Sequence, residues 1–111
     1  MKITTKSEHM RRVRSVLVNE TGEGMALTKR RLSILTGLTE RDVKAAVQEL
    51  RQRGQPIASG NAGYWWAADP ADLEEARGRI ASQITQMTAT LRGLELAARH
   101  IGKRRQAAFW A

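Results

Sequence analysis

Two clusters of cations hold the residue types and spacing that could do chemistry. Lys29, Arg30 and Arg31 follow Thr28 directly, while Arg41 and Lys44 follow Thr39, with Gln48 one helical turn further on. Guanidinium and ammonium groups set along a short rod bind anions, and a nucleic-acid backbone is the polyanion that meets many of them at once. The whole chain supports this bias. Lys and Arg outnumber Asp and Glu by 19 to 11, a net charge of +8. Residues 1–68 hold twelve of the cations against six acids, so most of the excess lies in the first two thirds.

Catalysis has far less to draw on. His9 and His100 are remote from each other in sequence, and neither has a ligating residue at a metal-binding spacing. Asp69, Asp72, Glu74 and Glu75 crowd together, but helix capping accounts for them. No phosphate-binding glycine loop, paired-carboxylate motif or nucleophile elbow occurs. The absence of cysteine excludes disulfides and thiolate metal sites. The expectation is a non-enzymatic protein without cofactor or metal. No run approaches the roughly 20 apolar residues of a membrane span, and no apolar leader follows Met1-Lys2. A cytoplasmic location, away from any membrane, is expected.

The elements that position these cations can be read from periodicity and breakers. A first helix starts near Ser7 and runs to about Val18, with Met10, Val13 and Leu17 at helical spacing. Asn19 to Gly24 interrupts it with two glycines. A second helix, capped by Thr28, should bury Leu32 and Leu35 with Ile34 partly covered, and Gly37 supplies a left-handed stop. Thr39 caps a third helix ending at Arg53-Gly54, whose Val43, Ala46, Val47 and Leu50 form one inward stripe. Glu40, Arg41, Lys44, Ala45, Gln48, Glu49, Arg51 and Gln52 are left to solvent or a partner. Pro56 to Ser59 and Tyr64 to Ala67 then flank the turn Gly60-Asn61-Ala62-Gly63 as a short hairpin. Tyr64 and Trp66 should face the core, and Trp65 should pack on the other side.

A helix held across a second one, carrying cations outward, is a device for entering a DNA major groove. Leu38-Thr39-Glu40-Arg41-Asp42-Val43, Leu50-Arg51-Gln52-Arg53-Gly54 with Pro56-Ile57, and Gly63-Tyr64-Trp65-Trp66-Ala67 carry a family likeness. Over residues 7–67 the chain resembles the winged helix-turn-helix domains of bacterial and phage DNA-binding proteins. The biotin-operon and deoxyribose-operon type repressors are the nearest subgroup in pattern. This resemblance implies that Thr39, Arg41, Lys44, Ala45 and Gln48 face the groove, within a recognition helix over 39–53. It also implies that Thr28, Lys29, Arg30 and Arg31 lie near phosphates. Ser59, Asn61 and Ala62 of the wing turn would approach an adjacent groove or backbone, although this wing lacks Lys and Arg.

Asp69-Pro70-Ala71-Asp72 opens a long fourth helix expected over residues 69–102, with a basic and then apolar tail over 103–111. Ile80, Ile84, Met87, Leu91, Leu94, Ala98 and Ile101 recur in steps of four and three, the pattern of a coiled-coil seam. Gly78 and Gly93 each weaken an isolated helix by about 1 kcal/mol, so this one needs a partner. The expected architecture is mainly α with a small β-wing: a winged domain over 1–68, then a dimerisation helix. The expected function is a sequence-recognising double-stranded DNA-binding protein, a dimeric transcriptional regulator of phage or bacterial type. The alternative is a protein-binding adaptor, or a DNA-binding accessory factor, in a phage or mobile-element replication or recombination assembly.

Overall fold

The computed structural model describes residues 5–110. They form four α-helices, α1 (Lys6–Leu17), α2 (Lys29–Thr36), α3 (Glu40–Gln52) and α4 (Glu74–Trp110). A two-stranded antiparallel sheet, β1 (Ile57–Gly60) and β2 (Gly63–Trp66), separates α3 from α4. The chain divides after Arg77 into two compact units.

In the first unit, three helices and the hairpin enclose one apolar core. Met10, Val13 and Leu17 of α1 meet Leu32 of α2, Leu38 of the connecting turn and the α3 stripe Val43, Ala46, Val47 and Leu50. Ile57 of β1 closes this core, and Tyr64 and Trp66 pack against it from β2. Each helix starts where a side-chain oxygen can take an orphan amide. Thr5 accepts from the Glu8 amide, Thr28 from the Arg31 amide and Thr39 from the Asp42 amide. The first helix is thus capped two residues before Ser7. Gly37 takes the left-handed conformation at the end of α2, with φ 73°, and turns the chain into α3.

Inside α2 the inward positions are Leu32 and Thr36, not Leu32 and Leu35. Leu35 is 46% exposed and Ile34 63% exposed, whereas Thr36 is buried. The helix spans only two turns, and the i, i+4 pair Leu32 and Thr36 faces the core. Thr36 tolerates burial because its hydroxyl donates to the Leu32 carbonyl at 2.6 Å. Arg12 reaches across from α1 to donate to the Thr36 carbonyl at the end of α2, where a cation complements the helix dipole.

The hairpin pairs Ile57 with Trp66, Ala58 with Trp65 and Ser59 with Tyr64. Its alternation separates two faces. Tyr64 and Trp66 lean on the core, while Trp65 is buried on the opposite face together with its cross-strand partner Ala58. The segment between α1 and α2 extends this sheet along the free edge of β2. Leu27 and Tyr64 exchange both backbone bonds at 2.8 Å, and the Trp66 amide donates to the Glu20 carbonyl. Residues 19–27 therefore form more than an interruption between helices.

Asp69 and Asp72 build a reciprocal capping box around a 3-10 turn, Pro70–Leu73, from which α4 proceeds. In the second unit, α4 continues through Trp110, past residue 102, and takes in Lys103, Arg104 and Arg105. Ala111 lies outside the described residues. Ile80, Ile84, Met87, Leu91, Leu94 and Ile101 are all between 46% and 71% exposed. Ala98 is exposed as well.

Candidate nucleic-acid interface

The α3 helix sorts its thirteen residues into two faces. Val43, Ala46, Val47 and Leu50 are buried, whereas Arg41, Lys44, Ala45 and Gln48 are exposed on the opposite side. Neither cation is neutralised within its own helix. Glu49, on the same helix, pairs instead with Lys6 at 3.2 Å. Among the described residues, Arg41 and Lys44 take part in no ion pair or side-chain hydrogen bond. They form a charged surface, three residues apart on one helix face, that solvent alone satisfies.

The first turn of α2 adds three more exposed cations. Lys29, Arg30 and Arg31 occupy it, and none of them is paired among the described residues. Positive side chains at a helix N-terminus oppose the macrodipole, so this placement costs a few tenths of a kcal/mol per cation. Amides at a helix N-terminus, with exposed cations beside them, suit a phosphate group.

The hydroxyls expected at the interface have structural partners already. Thr28 Oγ1 and Thr39 Oγ1 are engaged in helix capping, at 3.0 and 3.1 Å. Ser59 is half-buried and accepts from Arg51 Nη2 at 2.9 Å. Asn61 and Ala62 are exposed on the hairpin turn. Replacement of Thr39 by alanine is accordingly expected to lower stability by about 1 kcal/mol, read as a shift of the urea midpoint. A change in duplex affinity with no loss of stability would instead assign that hydroxyl to recognition.

Arg51 departs from the outward position expected of it. Its Nε donates to the Ile57 carbonyl at 2.9 Å, and its guanidinium lies over the Tyr64 ring. Burial pushes its pKa down from the ordinary value, and Tyr64 works in the opposite direction. This side chain ties α3 to β1 and supports the hairpin from inside. Arg14 acts similarly from α1, donating to Gln55 Oε1 at 2.9 Å and lying over the Trp66 ring. Only the final direction of these long side chains marks them as braces, and sequence spacing does not encode it. Arg11 bonds Glu8 strongly, and together with Arg12 it holds that carboxyl down at a pKa of about 2.

A cleft of about 310 Å³ lies between α1 and the end of α3, lined by Ser7, Met10, Arg11, Arg14, Leu50, Arg53 and Gln55. Its arginines 11 and 14 are engaged by Glu8 and Gln55, and no carboxylate lines it. No group of three or more His, Cys, Asp or Glu side chains that could hold a metal ion occurs among the described residues. Likewise, no helix among them is long and apolar enough to cross a membrane. No protein-family model, curated protein or solved structure matches this chain.

Proposed function

We propose that this chain is a sequence-recognising double-stranded DNA-binding protein, built as a winged helix-turn-helix domain and paired with a second copy through α4. Transcriptional regulation is the use that such an arrangement serves. One observation carries the reading: Arg41 and Lys44 stand exposed and unpaired on the face of α3 opposite its buried stripe. An α-helix presented in this way fits the width of a major groove, where arginine can bond guanine and glutamine adenine. Lys29, Arg30 and Arg31 at the start of α2 would hold the phosphate backbone and set the register.

Titration of a random-sequence duplex by fluorescence anisotropy tests it. Neutralising about five phosphates per copy gives a log–log salt slope of roughly −4 to −5, a loss of about 10²- to 10³-fold between 50 and 200 mM salt. No binding at the lower salt would end the proposal. A second reading, a protein-binding adaptor in a replication or recombination assembly, draws support from Met25, Ile34 and Leu35, which are 51%, 63% and 46% exposed in the first unit. Duplex binding at low salt that is equal across defined sequences would instead favour a DNA-binding accessory factor in such an assembly.

A further inference from the structure

The extension of α4 through Lys103, Arg104 and Arg105 sets three cations on the same helix as the apolar seam. Seven-residue counting places Ile84, Leu91 and Ala98 at one core position and Ile80, Met87, Leu94 and Ile101 at the other. Arg77 and Arg105 then fall at the same core position as Ile84. The flanking positions that usually fix orientation are nearly neutral along the middle of the helix. They are Ala81, Gln83, Thr88, Thr90 and Ala97, with Glu95 carrying the single charge among them. Orientation is left to the ends, and the ends differ in charge: residues 74–79 balance Glu74 and Glu75 with Arg77 and Arg79, whereas residues 103–105 are all cationic. Glu74 and Glu75 open the helix, and Lys103, Arg104 and Arg105 lie near its close.

From this polarity we infer that a second copy of this chain packs on the seam antiparallel, with Ile80 opposite Ala98 and Ile84 opposite Leu94. That register sets Met87 opposite Leu91 and Arg77 opposite Ile101. It carries Glu74 and Glu75 of one copy to the level of Arg104 and Lys103 of the other. A parallel pair would instead place Arg77 against Arg77 and Arg105 against Arg105, and gather six cations at one end. Like charges at facing core positions oppose association, whereas opposite charges at the ends favour it. Glu74 already pairs with Arg77 within the chain at 2.6 Å, and both side chains are well exposed, so the bond exchanges readily with a partner. The inference rests on the reading of α4 as a pairing helix and adds its direction.

Because the chain has no cysteine, introduced thiols report pairing cleanly. Three variants, Ile80→Cys, Ala98→Cys and the two combined, are oxidised and run on non-reducing gels, with sedimentation of the reduced proteins alongside. The antiparallel register leaves equivalent thiols about 27 Å apart, beyond disulfide reach, but brings the thiol at position 80 of one copy against that at position 98 of the other. The double variant should then form at least about tenfold more linked dimer than either single variant, at twice the 12.4 kDa chain mass. Arg77→Cys with Ile101→Cys should repeat that result independently. Efficient linking of each single variant to itself would overturn the direction and keep the dimer. A dimer by sedimentation with no linking in either pair would also overturn it. A mass of 12.4 kDa throughout would remove the pairing reading itself.

Discussion

Exchange of Arg41 and Lys44 for alanine together is expected to weaken duplex binding by about 30- to 1,000-fold per copy while leaving the fold intact. The magnitude comes from two unlike contacts. A guanidinium bonded to a guanine edge contributes about 1–3 kcal/mol, and loss of an ammonium beside a phosphate removes roughly 1 kcal/mol and about one unit of salt slope. Stability should shift by no more than about 0.5 kcal/mol, because both side chains are exposed and make no bond among the described residues. Removal of two like charges one turn apart even relieves a small repulsion. Anisotropy titrations paired with thermal melts read both quantities. Unchanged affinity in a well-folded double variant would move recognition away from α3 altogether. The single variants add discrimination. Arg41→Ala should relax preference at one base position, whereas Lys44→Ala, if the ammonium holds phosphate, should weaken all sequences alike.

Much of the first unit is legible in local chemistry. The inward stripe of α3 declares itself because thirteen residues sustain the three-and-four spacing, and Thr28, Gly37 and Thr39 punctuate the chain by rules that need no tertiary partner. Leu35 misleads because α2 offers only two turns, and a leucine there looks more buriable than a threonine. Thr36 takes the inward place by satisfying its own hydroxyl against Leu32. The pairing of Leu27 with Tyr64 is invisible to periodicity, since a single bridge has no alternation to detect and its partner lies far along the chain. Gly102 and the basic run after it resemble a helix end, yet α4 carries on through them. At the candidate interface the cations are legible by type and spacing. Hydroxyls are less so, because Thr28, Thr39 and Ser59 each have a structural bond to make, and residue type alone does not say which role prevails.

Gly63→Ala should damage the first unit as much as truncation of a core leucine. Gly63 sits at φ 121°, a conformation that side-chain-bearing residues rarely adopt. A Cβ there would lie 2.3 Å from the Leu27 carbonyl oxygen, 2.5 Å from its carbon and 2.8 Å from the Thr28 nitrogen. All three are backbone atoms, so no rotamer change can make room. The chain must either pull β2 away from Leu27 or move Leu27 itself. Either route breaks the two 2.8 Å bonds exchanged by Leu27 and Tyr64. Backbone strain of about 1–3 kcal/mol and two lost bonds at about 1 kcal/mol each give a penalty of roughly 3–5 kcal/mol. That is a large part of the roughly 5–15 kcal/mol typical of a whole domain. Thr28 caps α2, so the disturbance also reaches the turn bearing Lys29, Arg30 and Arg31. Duplex affinity should therefore fall together with stability, unlike the Arg41 and Lys44 case. Gly54→Ala is the matched control: φ is again positive, at 83°, but nothing lies within 4 Å of the added Cβ. It should cost only about 1–2 kcal/mol. If urea titrations give the two variants equal midpoints, the close passage of Leu27 and Thr28 against β2 is wrong, and with it the path that couples the hairpin to the start of α2.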